Sequence, residues 1–131
     1  MGAPQLFEVV FSDITEIRYA YGRVYLGASL EAVSKRLIGS SVAKSPDSGL
    51  VVGVCRQAKA YLKKMGIDLS GVIFHQDQGS VYTSYDYVGE LVKDCVKISY
   101  SRVGTPSDNP EMESFFGRLK DEWADVFAAA Q

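Results

Sequence analysis

A chain of 131 residues, 47% of them apolar, is long enough for one compact domain with a real core and too short for two. Its charged residues, 23% of the total, sum to a net charge of -2, so the chain has no global basic field for drawing in DNA or a membrane surface, and a polyanion partner needs a local site. The two cysteines, Cys55 and Cys95, stand beside one histidine and form no CxxC, which argues against structural zinc and for two reduced core thiols. No apolar run approaches the about 18 residues of a membrane span, and the N-terminus lacks a charged-then-apolar signal pattern. The expected location is cytosolic.

Residues 6–13, "LFEVVFSD", predict a strand apolar on both faces, as a central strand under helices would be, with Asp13 at its end. "GRVYLGASLE" and "KRLIGSSVAKS" follow as two further strands, and short connections predict an antiparallel meander of three. After "SPDSG", with Asp47 or Ser48 as cap, Val51, Val54, Ala58, Leu62 and Met65 recur at helical spacing until Gly66. "GVIFHQD" is the fourth strand. "SYDYVGELVKDC" is a second helix, with Val88, Leu91, Val92 and Cys95 on one face, and "VKISYS" a fifth strand. The loop "SRVGTPSDN" leads to a last helix capped by Asn109, with Pro110 in its first position and Phe116, Leu119, Trp123 and Phe127 as its core stripe. With no repeat, low-complexity tract or linker, residues 1–131 form a single expected domain, an α/β five-stranded mixed sheet flanked by helices.

Three carboxylates fall at informative places: Asp13 on the first strand, Asp77 at the end of the fourth, and Glu113 in the first turn of the last helix. If the first and fourth strands are neighbours, Asp13 and Asp77 meet at one edge of the sheet, within reach of Glu113. Like charges held together repel unless a cation neutralises them, so such a trio predicts a divalent metal site. Mg2+ suits it, with Mn2+ as substitute, because that ion takes carboxylate oxygens and keeps other positions for water and phosphate. Two ions would clamp the attacking and leaving oxygens of an in-line phosphoryl displacement. Spacing alone leaves the plain alternative open, in which these acids are solvated or serve helix dipoles.

"SDIT" at Ser12–Thr15, "HQDQGSVYTS" at His75–Ser84 and "SRVGTPSDNPEMESFFGRLKDE" at Ser101–Glu122 resemble the catalytic core of bacterial insertion-sequence transposases of the retroviral-integrase superfamily, the DDE type. Thirty-five residues separate Asp77 from Glu113, the interval typical of that family. The resemblance implies a ribonuclease H-like fold, with Asp13, Asp77 and Glu113 as catalytic and metal-holding residues. It implies metal-dependent phosphodiester cleavage and DNA strand transfer, with transposon ends and target DNA as partners, in a homo-oligomer in the bacterial cytoplasm. His75 then either contacts phosphate, orients a carboxylate, or simply caps the sheet edge. Asn109, after Asp108, matches the family's "DN" but serves equally as a helix cap, and Lys120 stands two turns beyond Glu113, where related integrases present lysine to DNA.

Phe11 stands where the family usually has Trp, Gln76 where it has Ser, and Glu31 where a second-strand Asp is common. The chain begins just before the first strand, so the expectation is an excised core without the family's N-terminal helix-turn-helix region. Two rivals keep the fold and change the role: a ribonuclease H-like hydrolase acting on RNA/DNA hybrids, and an inactive remnant that binds DNA or oligomerises.

Overall fold

The computed structural model describes residues 4–101. Five strands, β1 (Val9–Tyr19), β2 (Gly22–Glu31), β3 (Leu37–Ala43), β4 (Ile73–Gln76) and β5 (Lys97–Tyr100), form one sheet in the order β3-β2-β1-β4-β5. The first three pair antiparallel as a meander, while β4 runs parallel to both β1 and β5. Two helices, α1 (Ser48–Lys64) and α2 (Tyr85–Val92), supply the crossovers. The mixed five-stranded sheet is the one expected. Among the described residues, no helix is long and apolar enough to cross a membrane.

β1 is the middle strand, which explains why Val9 and Val10 are both buried although they point to opposite faces. It runs further than its apolar stretch suggests, because Ile14 to Tyr19 pair with β2 as a hairpin closed by the two residues Ala20 and Tyr21. Polar Thr15, Glu16 and Arg18 hide that extension from a hydrophobicity reading. Asp13 therefore lies within β1, not at its end.

On one face, α1 and α2 bury Val10, Ile38, Val51, Cys55, Ala58, Leu62, Phe74, Tyr87 and Leu91. Phe74 is fully buried, worth about 1.5–3 kcal/mol for its side chain relative to exposure. Asp47 caps α1 by accepting from the Leu50 N–H at 3.0 Å, and Gly66, at φ +79°, ends the turn in the left-handed region. Gly39 lets the α1 backbone rest on β3, since a Cβ there would come within 2.6 Å of the Val54 carbonyl oxygen. On the other face Ile17, Leu26, Ala28 and Leu30 cluster with Phe11 and Val24.

Two helix faces differ from expectation. Met65 is the C-cap of α1 and exposed, so the buried stripe ends at Leu62. In α2 the inward residues are Tyr87, Glu90 and Leu91, whereas Val92 is exposed. Cys95 lies beyond the helix, exposed, with φ +60°, so only Cys55 is a core thiol. Burial pushes the Cys55 pKa up to about 12, which makes it inert at neutral pH.

The reason for the α2 rotation is a charged clamp. Lys59, only 3% exposed on α1, directs its ammonium to the Glu90 carbonyl at 2.6 Å, the Glu90 carboxylate at 2.8 Å and the Asp94 carboxylate at 2.7 Å. All three of its protons are used. Glu90 is held further by Arg56 at 3.3 Å and Lys93 at 3.2 Å. Burial works against its charge, yet these hydrogen bonds, led by Lys59, draw its pKa from the ordinary 4.5 to about 2.

Candidate active site

The β1–β4 ladder pairs Val9 with Ile73, Val10 with Phe74 and Phe11 with His75. Two residues further along each parallel strand stand Asp13 and Asp77. Continuing that register sets the two aspartates opposite each other, at the carboxyl end of β4, the side of an open α/β sheet where ligands bind. A shallow depression lined by Phe7, Glu8, Ile67 and Val72 lies at the opposite end of these strands.

Each aspartate is steadied by its own backbone. Asp13, half-buried, accepts from the Ile14 N–H at 2.8 Å, and exposed Asp77 accepts from the Gly79 N–H at 2.7 Å. Gly79 permits that tight turn, because a Cβ on it would lie 2.9 Å from Asp77 Oδ1. Behind the pair sits Tyr82, 3% exposed and packed edge-on against Tyr87 with ring centroids 5.0 Å apart. Burial raises the Tyr82 pKa well above the usual phenol range, and the charges of Tyr87, Asp13 and Asp77 add to it.

Two carboxylates brought together from separate strands provide the oxygen donors that a hard divalent cation takes. Among the described residues, no group of three His, Cys, Asp or Glu side chains closes a metal cage. Glu113, the third carboxylate expected there, lies outside the described residues, as do Asp108, Asn109, Lys120 and the Phe116, Leu119, Trp123, Phe127 stripe.

His75 is half-buried on the Phe11 face, where the two rings meet edge to face at 5.8 Å. Its Nδ1 lies 2.8 Å from Ser99 Oγ and its Nε2 3.1 Å from Ser101 Oγ, which ties the end of β4 to β5. Glu31 is fully buried at the end of β2, accepting from the N–H groups of Phe7, Val33 and Ser34 at 3.0, 3.1 and 2.6 Å. Burial opposes its ionisation, but those hydrogen bonds prevail and lower its pKa. Glu31 is thus a clasp for the chain ahead of β1 and for the β2–β3 turn. Gln76, fully buried next to Asp77, was visible in the sequence only as a departure from a motif.

The Integrase core domain family matches residues 3–106, most of the chain, and the chain belongs to that family. It is a transposase/integrase catalytic core domain. It is 35% identical over 111 residues to an uncharacterized transposase-like protein of Haemophilus influenzae, a match covering 85% of this chain and 49% of that protein. It is 34% identical over 117 residues to the transposase for insertion sequence element IS904 of Lactococcus lactis, covering 88% of this chain and 44% of that one. The chain thus spans less than half the length of these two relatives. Its fold is similar to the catalytic domain of Mos1 mariner transposase, with a TM-score of 0.71 at 14% identity over 95% of this chain and 71% of that one. It is also similar to the HTLV-2 integrase catalytic core domain solved in complex with magnesium in trimeric form, with a TM-score of 0.60 at 18% identity, covering 88% and 68%.

Proposed function

We propose that this chain cleaves DNA phosphodiesters and transfers the resulting strands with a divalent metal, Asp13 and Asp77 serving as ligands and Glu113 as the third. The observation that supports this reading is the parallel β1–β4 register up to Phe11 and His75, which, continued two residues along each chain, faces Asp13 with Asp77. Integrase core membership and the insertion-sequence relatives support DNA as the substrate class, and the magnesium complex of the HTLV-2 core supports Mg2+.

A divalent cation held there supplies Lewis-acid stabilisation of charge on the phosphate oxygens. The chain's own residues supply position. The Ile14 and Gly79 amides restrain the two carboxylates. No side chain needs to act as nucleophile, since water or a DNA 3′ hydroxyl serves. Joining two DNA ends calls for more than one copy of the chain, and residues 1–131 act as one domain in that assembly.

The test is Mn2+-dependent cleavage and strand transfer by wild type and Asp77→Asn, on branched DNA with a free 3′ hydroxyl and on an RNA/DNA hybrid. The expected result is activity on DNA that falls about a thousandfold in the variant, about 4 kcal/mol in the barrier, with a melting temperature unchanged or raised as carboxylate repulsion is relieved. Full metal-dependent activity in Asp77→Asn would remove the assignment. Cutting of the hybrid alone would move the substrate to RNA.

A further inference from the structure

The end of β5 is bonded to the chain on both sides of Asp77. The parallel β4–β5 ladder pairs His75 with Ser99 and Gln76 with Tyr100, and Ser101 carries it one step further, its N–H donating to the Gln76 carbonyl at 2.9 Å. The Ser101 carbonyl accepts from Gln78 Nε2, also at 2.9 Å, and its Oγ lies 3.1 Å from His75 Nε2. The N–H, carbonyl and hydroxyl of Ser101 are thus spent on Gln76, Gln78 and His75, the residues that flank Asp77. Ser99 braces the same segment, with its Oγ 2.8 Å from His75 Nδ1 and its carbonyl accepting from Gln76 Nε2 at 2.9 Å.

Of these bonds, the one from Gln78 is not dictated by strand pairing. β4 ends at Gln76, and from there the chain leaves the ladder through Asp77 and the tight turn at Gly79. A chain held only at Gln76 would be free to swing about the backbone bonds that follow, and the Asp77 carboxylate would swing with it. Gln78 reaches back to β5, so one residue, Ser101, grips the chain both before and after Asp77. The backbone bond to Gln76 already orders Ser101, so closing the clasp costs chiefly the freedom of one exposed glutamine side chain.

We propose that Gln78 and Ser101 are positioning residues: the clasp they form between β5 and the end of β4 fixes the backbone on both sides of Asp77, and so the direction from which its carboxylate meets a metal ion. This rests on the reading of Asp77 as a metal ligand. The Gly79 amide sets the rotation of the carboxylate, and the clasp sets where the residue bearing it stands. Both residues act on the ion through Asp77, as outer hydrogen bonds around metal ligands commonly do.

The experiment measures Mn2+ binding to the full chain by calorimetry, alongside melting temperature, for wild type, Gln78→Met, Ser101→Ala, Ser101→Thr, Gln57→Met and Asp77→Asn. Gln57 is the control: its Oε1 accepts from the Ser40 N–H at 3.0 Å, an exposed glutamine bond of the same kind that ties α1 to β3 instead. Gln78→Met and Ser101→Ala should each weaken Mn2+ binding about tenfold, while Ser101→Thr, which keeps the hydroxyl, and Gln57→Met stay within about twofold of wild type. Gln78 is exposed, so Gln78→Met keeps the test open should Ser101→Ala fail to fold. Wild-type affinity in Gln78→Met or in folded Ser101→Ala, an equal loss in Gln57→Met, or a loss in Ser101→Thr as deep as in Ser101→Ala would overturn the proposal. Asp77→Asn separates the two levels: if it binds Mn2+ like wild type, the metal reading itself fails, and if it alone loses binding, that reading stands and only the role of the clasp falls.

Discussion

Acid residues gather at two places in this molecule, and they are treated in opposite ways. Between the helices, Glu90 and Asp94 meet Lys59, Arg56, Lys63 and Lys93, cations from another helix or the next turn. At the rim of the sheet, the described hydrogen-bond donors to Asp13 and Asp77 are the backbone amides of their own neighbours. The first arrangement consumes the negative charge to hold two helices together. The second restrains two carboxylates through the amides of their own backbone. Position in the sheet decides between them: the clamp lies under a helix–helix contact, the aspartates where β1 and β4 part.

The widest separation between the two regions should come from Lys59→Met. Removing one partner of a buried ion pair costs about 3–5 kcal/mol, but Arg56 and Lys93 remain on Glu90, so about 2–3 kcal/mol of stability should be lost in denaturant unfolding. Mn2+ affinity of the folded protein should be unchanged. A loss of affinity without a loss of stability would erase the division between clamp and rim.

Gly79→Ala works from the other side. Its new Cβ would press on Asp77 Oδ1, and the cheapest relief is for that carboxylate to turn away from the rim. Mn2+ binding should weaken by about tenfold, the scale of a disturbed metal-ligand orientation, with stability within about 0.5 kcal/mol of wild type, as for most exposed sites. Unchanged binding would show that the Gly79 turn does not set the Asp77 orientation.

Much of this contrast was legible in the sequence, though unevenly. The apolar run Val9–Phe11, buried on both faces, announced a central strand, and the carboxylates near the ends of two such runs announced a rim. What hid Asp13's true setting was that β1 continues as a polar, half-exposed hairpin, where alternation is weak. The inward turn of Glu90 was invisible for a different reason: a charged residue faces a core only when its counter-ion comes from a distant element, and Lys59 is thirty-one residues away. Tyr87 was equally hidden, because an aromatic at a helical spacing reads as plain core until its hydroxyl is seen on the buried Gln76.

The gentlest probe of the comparison is pH. Glu90 and Glu31 both have folded pKa values below their ordinary 4.5, so each stabilises the fold above that value and loses its contribution as pH falls through the folded one. For Glu90 the loss should run from about pH 4.5 down to about 2, and Glu31 should add to the same acid limb. Lys59 acts with the opposite sign: its raised pKa stabilises below 10.5 and is lost only as pH climbs beyond it. Stability should therefore be level through neutrality and fall at the acid end, as followed by denaturant midpoints at successive pH values. In Glu90→Gln the acid limb should shrink but persist through Glu31. An acid limb unchanged in Glu90→Gln would show that the clamp's charge is not what stabilises the helix pair, and that its packing is.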